Sequence, residues 1–166
     1  MKLMDTSSLV LFLERIPEYE FLITFSQTGE IMIITSDVEW EYYKKAENIN
    51  PNYNLDNLLQ DNTILIDDCE INDLFKYRYF NLGIGEKSIM SLALEYKKQD
   101  KECYCVLDDN DARKIAKRLG LNLIGSIGLL IKLKEKGLIE NPNELVNKIR
   151  ESTFRISDEI LEELNA

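Results

Sequence analysis

Five short β-prone runs alternate along the chain with longer stretches whose apolar residues recur at helical spacing. The runs fall at 2–5 (KLMD), 31–35 (IMIIT), 63–66 (TILI), 103–107 (CYCVL) and 122–124 (NLI). The second is β-prone without interruption, as expected of a strand covered on both faces. Between the runs, Thr6, Ser7 and Ser8 precede Leu9 to Leu13. A Ser or Thr before an apolar run is an N-cap signal, so a helix is expected from there to about Arg15. Pro17 should open a second helix over 18–27, with Tyr19, Leu22, Ile23 and Phe25 inward and Gly29 at its end. Ser36 or Asp37 should cap a helix over DVEWEYYKKA.

The stretch 46–62 is rich in Asn and Asp, contains Pro51, and offers one helical turn near 55–59. A helix is expected over 67–77, with Ile71, Leu74 and Phe75 buried. Gly83 and Gly85 lead into a long helix whose Ile89, Met90, Ala93, Leu94 and Tyr96 fall on one stripe. Shorter helices are expected over 111–119, 127–136, from Pro142, and from Ser157 to the end. Strands alternating with helices predict a single domain over 1–166: a three-layer α/β/α sandwich with a mostly parallel central sheet.

Composition narrows the chemistry. The chain has 166 residues, 45% of them hydrophobic, enough for one real core. Its apolar runs are far shorter than a membrane span. The opening MKLMDTSSLV carries an acid at position five and no signal-peptide pattern, so a cytoplasmic location with no membrane partner is expected. Cys69, Cys103 and Cys105 have no metal-type spacing and read as free thiols. There is no histidine. That removes Ser-His-Asp and Cys-His catalysis and leaves carboxylates, lysines, tyrosines and hydroxyls to carry any acid–base or metal chemistry.

The net charge of −10 is uneven. Residues 1–100 hold 9 basic and 18 acidic residues, against 11 and 12 in 101–166. Seven basic residues, from Arg113 to Lys136, face one acid within 113–136. An acidic chain is a poor non-specific binder of nucleic acid, but a local basic band beside an acidic site suits a phosphate substrate. Arg113 is the member of that band placed to position one.

The acids themselves fall at telling places. Asp5 ends the first β-run. Asp108 and Asp109 end the fourth, with Asp111 just beyond. In a parallel α/β sheet the strand C-termini share one edge, so Asp5 and Asp109 should approach across 104 residues of sequence. Glu86 lies on the apolar stripe at the start of its helix, where a carboxylate needs a partner. Glu41, early in the helix after the second strand, can reach the same edge. Such a cluster suits one or two Mg²⁺ or Mn²⁺ ions holding a phosphodiester and activating water.

These stretches resemble the PIN-domain family, of the VapC-like kind. DTSSLVLFL at 5–13 is similar to its first acidic motif. VEWE at 38–41 resembles the second and points to Glu41. LGIGEKSIMSLAL at 82–94 resembles the third and points to Glu86. LDDNDARKIAKRLGL at 107–121 resembles the fourth, with Asp109 and Asp111 matching the late acids and Asp108 an added neighbour. IGSIGLLIKLKEKGLI at 124–139 and SDEILEEL at 157–164 are similar to the tail of one PIN-related subgroup, outside the catalytic set. The resemblance implies a metal-dependent ribonuclease, typically a homodimeric toxin paired with an antitoxin protein. It implies Asp5, Glu86 and Asp109 as metal ligands, Glu41 or Asp111 as a second metal site or water-orienting group, and Thr6 or Ser7 as positioning Asp5 or a phosphate. The apolar helices near 9–25 are candidates for the dimer surface.

Two other readings stay open. A PIN-like module that no longer cleaves could bind a protein partner, although it would have no need of crowded carboxylates. A different metal-dependent phosphoester enzyme is the other. Of that class, a haloacid-dehalogenase-type phosphatase wants Asp-x-Asp after the first strand, where this chain has Asp5-Thr6-Ser7.

Overall fold

In the computed structural model, described over residues 1–16 and 19–166, five strands form one sheet in which every neighbouring pair is parallel. They are β1 (Lys2–Met4), β2 (Met32–Ile34), β3 (Ile64–Ile66), β4 (Tyr104–Val106) and β5 (Leu123–Ile124). Their order across the sheet is β3-β2-β1-β4-β5. The expected strands are therefore all present, each within a residue or two of its β-prone run. Leu3 pairs with Ile33 on one side and Cys105 on the other. The chain steps one way through β1, β2 and β3, then crosses back to β4 and β5. With right-handed crossovers, this reversal places the intervening helices on opposite faces. The result is the expected α/β/α sandwich.

Helix α1 (Thr6–Val10) continues as a π-helical turn over Leu11–Arg15. Its N-cap is Asp5, not a Ser or Thr: the carboxylate accepts the Ser8 N–H. Helix α2 spans Tyr19–Gln27, and Gly29 beyond it takes a left-handed conformation at φ 91°. The expected helix start at Pro17, and the inward Tyr19 side chain, lie outside the described residues. Leu9, Leu11, Phe12, Leu13, Leu22 and Phe25 are buried in the core of the chain itself. These side chains are used by the core, and on the same helices Val10, Phe21 and Ile23 are only partly buried.

Helix α3 (Ser36–Lys45) is capped by Thr35, one residue earlier than expected. Helix α4 (Leu55–Gln60) is the turn foreseen in the Asn-rich stretch, capped by Asn54 and anchored by buried Leu55 and Leu58. The helix expected over 67–77 shrinks to α5 (Asp73–Tyr77). The reason lies in the acids before it. Asp68 accepts the Ser36 N–H and hydroxyl, and Asp67 accepts the Tyr96 hydroxyl, so 67–72 is tied to other elements instead of coiling on itself.

Helix α6 (Ile84–Lys98) buries Ile89, Met90, Ala93 and Tyr96 as its stripe requires. Helices α7 (Asn110–Arg118), α8 (Ser126–Glu135), α9 (Pro142–Glu151) and α10 (Asp158–Asn165) complete the chain. Cys103, just before β4, and Cys105, within it, are buried free thiols. Among the described residues no helix is long and apolar enough to cross a membrane.

Candidate active site

The order in which strands are added reverses between β1 and β4, and open α/β sheets have their crevice at the strand C-termini of such a point. Met4 is in register with Val106, so Asp5 and the Asp108-Asp109 pair leave the sheet side by side. Asp5 is 1% exposed. Its Oδ1 accepts the Ser8 N–H at 2.9 Å and the Ser8 hydroxyl at 2.7 Å. Burial first, then the Asp108 charge, lift its pKa from 3.8 to about 7 against those two donors, and Glu86 adds to the rise.

Asp108 is held from the far strand. Its carboxylate accepts the Ser126 N–H at 2.8 Å and the Ser126 hydroxyl at 2.5 Å. Ser126 is the first residue of α8, immediately past β5, so a second strand end grips the acid of its neighbour. Burial pushes the Asp108 pKa up, while Ser126 and the Arg113 charge oppose it. Arg113 is partly committed: its Nη1 donates to the Leu107 carbonyl at 2.8 Å. Asp109 is exposed, caps α7 and accepts the Ala112 N–H at 2.9 Å.

The remaining acids arrive on α3 and α6. Glu86 accepts the Gly83 N–H at 3.1 Å. Burial raises its pKa against that hydrogen bond, and Asp109 and Glu41 raise it further. Glu41 is half-buried and pairs with Lys45 at 3.5 Å. The glycines explain how these groups come so close. A methyl at Gly85 would stand 2.9 Å from Thr6 Oγ1 and 3.0 Å from Glu41 Oε1, and one at Gly83 would stand 3.6 Å from Glu41 Oε2. Only a residue without a side chain lets the start of α6 meet α1 and α3 here.

Asp5, Glu41, Glu86 and Asp109 thus share one edge, as the sequence suggests, with Thr6 among them. Asp111 turns outward. Its side chain is 83% exposed and pairs with Lys114 at 4.0 Å. Ser7 is exposed on a cleft of about 360 Å³ that runs past Thr6, Arg15, Lys45, Asp108 and Asp109. A second cleft, of about 560 Å³, passes Glu86 and Asp109 and is lined by Arg78, Lys114 and Arg118. Arg15, Lys45, Arg78, Lys114, Arg118 and Arg155 thus line the two clefts beside the acids.

Sequence reasoning missed Ser126 and gave Asp108 only a neighbour's place. The signal was present: Gly125-Ser126 follows β5 directly, and every strand end of a parallel sheet reaches this edge.

The sequence matches the DUF3368 family, described as a PIN domain, over residues 1–166. The chain belongs to the PIN-domain family. No curated protein and no solved structure matches it. PIN domains are in general nucleases that act on RNA and typically use divalent metals.

The donors are all hard oxygens, of the kind that suits Mg²⁺ or Mn²⁺. Thr6 Oγ1 is buried and has no hydrogen-bond partner among the described residues. A buried hydroxyl left unpaired normally costs free energy, so its place among four carboxylates fits a site that takes a cation or a phosphate oxygen. Among the described residues, no three acids close on a common point, because Asp5, Glu86 and Asp109 are each drawn to a helix-start N–H. The donor chemistry fits the ion, and the carboxylates would have to turn inward to hold it.

Proposed function

We propose that this PIN domain is a Mg²⁺- or Mn²⁺-dependent endoribonuclease that cleaves RNA phosphodiester bonds. The reading extends to a cytoplasmic toxin paired with an antitoxin protein and working as a homodimer, which rests on the VapC-like resemblance of the motifs. One observation carries the nuclease reading: like charges are packed together at the sheet's reversal point around an unpartnered buried hydroxyl. Burial and neighbouring carboxylates both raise Asp5 and Glu86, so the edge favours gaining positive charge.

In this mechanism Asp5, Glu86 and Asp109 would hold the metal, which when bound would supply positive charge to the phosphate oxygens and make water a better nucleophile. Ser8 fixes Asp5, and Ser126 fixes Asp108 behind it. Glu41, poised over Gly83 and Gly85, orients the attacking water and accepts its proton. The Thr6 hydroxyl donates to a phosphate oxygen. Arg15 and Lys45 hold the flanking phosphates in the cleft they line, with Ser7 beside them and Arg113 behind Asp108. Asp111 stays at the rim of the second cleft.

A second reading, a PIN-fold module that binds a protein partner without cleaving, draws on the absence of three converging acids among the described residues. Large exposed aromatics also support it: Trp40 at 56%, Tyr77 at 79% and Phe80 at 60% exposed. Calorimetry with Mn²⁺ separates the two. The nuclease reading expects one or two ions bound and binding lost in Asp109→Asn. No binding by the wild type overturns it.

A further inference from the structure

A cavity of about 730 Å³ lies next to the acid cleft. One wall is α7 and α8, with Arg113, Ile127 and Ile131. The other is the segment between α9 and α10, with Phe154 and Arg155, and then Ile160. The cavity and the acid cleft share three residues: Asp108, Phe154 and Arg155. The 154–155 strap is thus a partition, with a catalytic-edge carboxylate within reach on both sides.

The strap is anchored. The Ser152 hydroxyl donates to the Ile149 carbonyl at 2.6 Å and accepts the Phe154 N–H at 3.2 Å, while Leu161 and Leu164 bury the helix that follows. Ser157, expected to cap that helix, makes no side-chain cap bond. Phe154 is half-buried, so part of its ring is open to the cavities it divides. Arg155 is exposed and makes no ion pair or hydrogen bond among the described residues.

We propose that this cavity is a nucleotide subsite, taking one base of the RNA strand next to the phosphate held at the acids. Four isoleucines and Phe154 share the lining with the cations Arg113, Lys132 and Arg155 and the acids Asp108, Glu135 and Glu163, and a cleft of this size with apolar side chains beside polar ones suits a small organic ligand. An aromatic ring beside an unpaired guanidinium is the combination that stacks a base and meets its phosphate. The continuity with the acid cleft selects the occupant, since a strand lying across Asp108 has its next nucleotide at the strap. The subsite gives the enzyme its preference for one base. That use rests on the nuclease reading; the binding itself does not.

The test is methyl NMR on the whole chain, following Ile131 and Ile160 during titration with AMP, GMP, CMP and UMP, and with ribose 5-phosphate as the base-free control. At least one nucleotide should move both methyls, and ribose 5-phosphate should not. Ile131→Trp, which fills the cavity, and Arg155→Ala, which removes an exposed and unpaired group, should each weaken that nucleotide about tenfold or more. Phe154→Ala should do the same if it folds. Methyls that stay still with all four nucleotides, or move equally with ribose 5-phosphate, overturn the subsite. The readout needs no cleavage. An inert protein that still binds a nucleotide retains the subsite and loses the nuclease reading, and a cleaving protein with unmoved methyls does the reverse.

Discussion

Asp5→Asn should change how stability depends on pH. The substitution keeps the cap, because Asn accepts the Ser8 donors as well as Asp does, and it removes only the charge. In the folded chain Asp5 has a pKa of about 7, against 3.8 as the ordinary value. A raised carboxyl binds its proton more tightly when folded. Its stabilising contribution is therefore full below pH 3.8, falls as pH rises, and is gone above about 7. Between pH 5 and pH 7 the loss is about 1.36 kcal/mol per unit, roughly 2.7 kcal/mol in all. Asp5 is almost wholly buried, so solvent screening does not shrink this figure much.

The assay is denaturation with a chelator present, at pH 5 and pH 8, for wild type and Asp5→Asn. The wild type should lose about 2–3 kcal/mol more than the variant, or roughly 5–10 °C in Tm. Glu86 and Asp108, both also raised, act in the same direction but remain in both proteins and largely cancel. Parallel pH profiles would refute the claim that Asp5 is held in a desolvated, like-charged edge.

Three further outcomes follow from the same geometry. Gly85→Ala should lower Tm, since its methyl would meet buried Thr6 and Val38 at 2.9 and 3.3 Å, and metal affinity by calorimetry should fall at least tenfold as Thr6 and Glu41 are pushed apart. Ser126→Ala removes one of the two donors to half-buried Asp108 and should cost about 1–3 kcal/mol in urea denaturation, with a matching loss of activity. Asp109→Asn should abolish RNA cleavage with the circular dichroism spectrum unchanged, whereas Asp111→Asn, at an exposed and solvent-screened position, should alter the rate less than about threefold.

Much of this was legible in the residues. Five β-prone runs located five strands, and a parallel sheet obliges their C-termini to share an edge. Asp5 and Asp109 could thus be placed together without coordinates. Glu86 was visible because an acid on an apolar stripe has to be explained. Less visible were contacts set by tertiary partners. The 67–77 pattern read as a helix because periodicity does not report that Asp67 and Asp68 are claimed by Tyr96 and Ser36. The caps at Asp5 and Thr35 stand ahead of the ones expected because strand ends at this edge already present an acceptor to the next helix. Ser126 was passed over because its hydroxyl serves a residue 18 positions away.

The central claim is that these carboxylates form a metal-dependent nuclease site. Its most direct test is cleavage of a mixed structured RNA in Mn²⁺ by wild type, Asp5→Asn and Glu86→Gln, each shown to be folded. Cleavage by the wild type alone, abolished by chelator, is the predicted result. Equal cleavage by all three, or none by the wild type with no heat of Mn²⁺ binding, would contradict it.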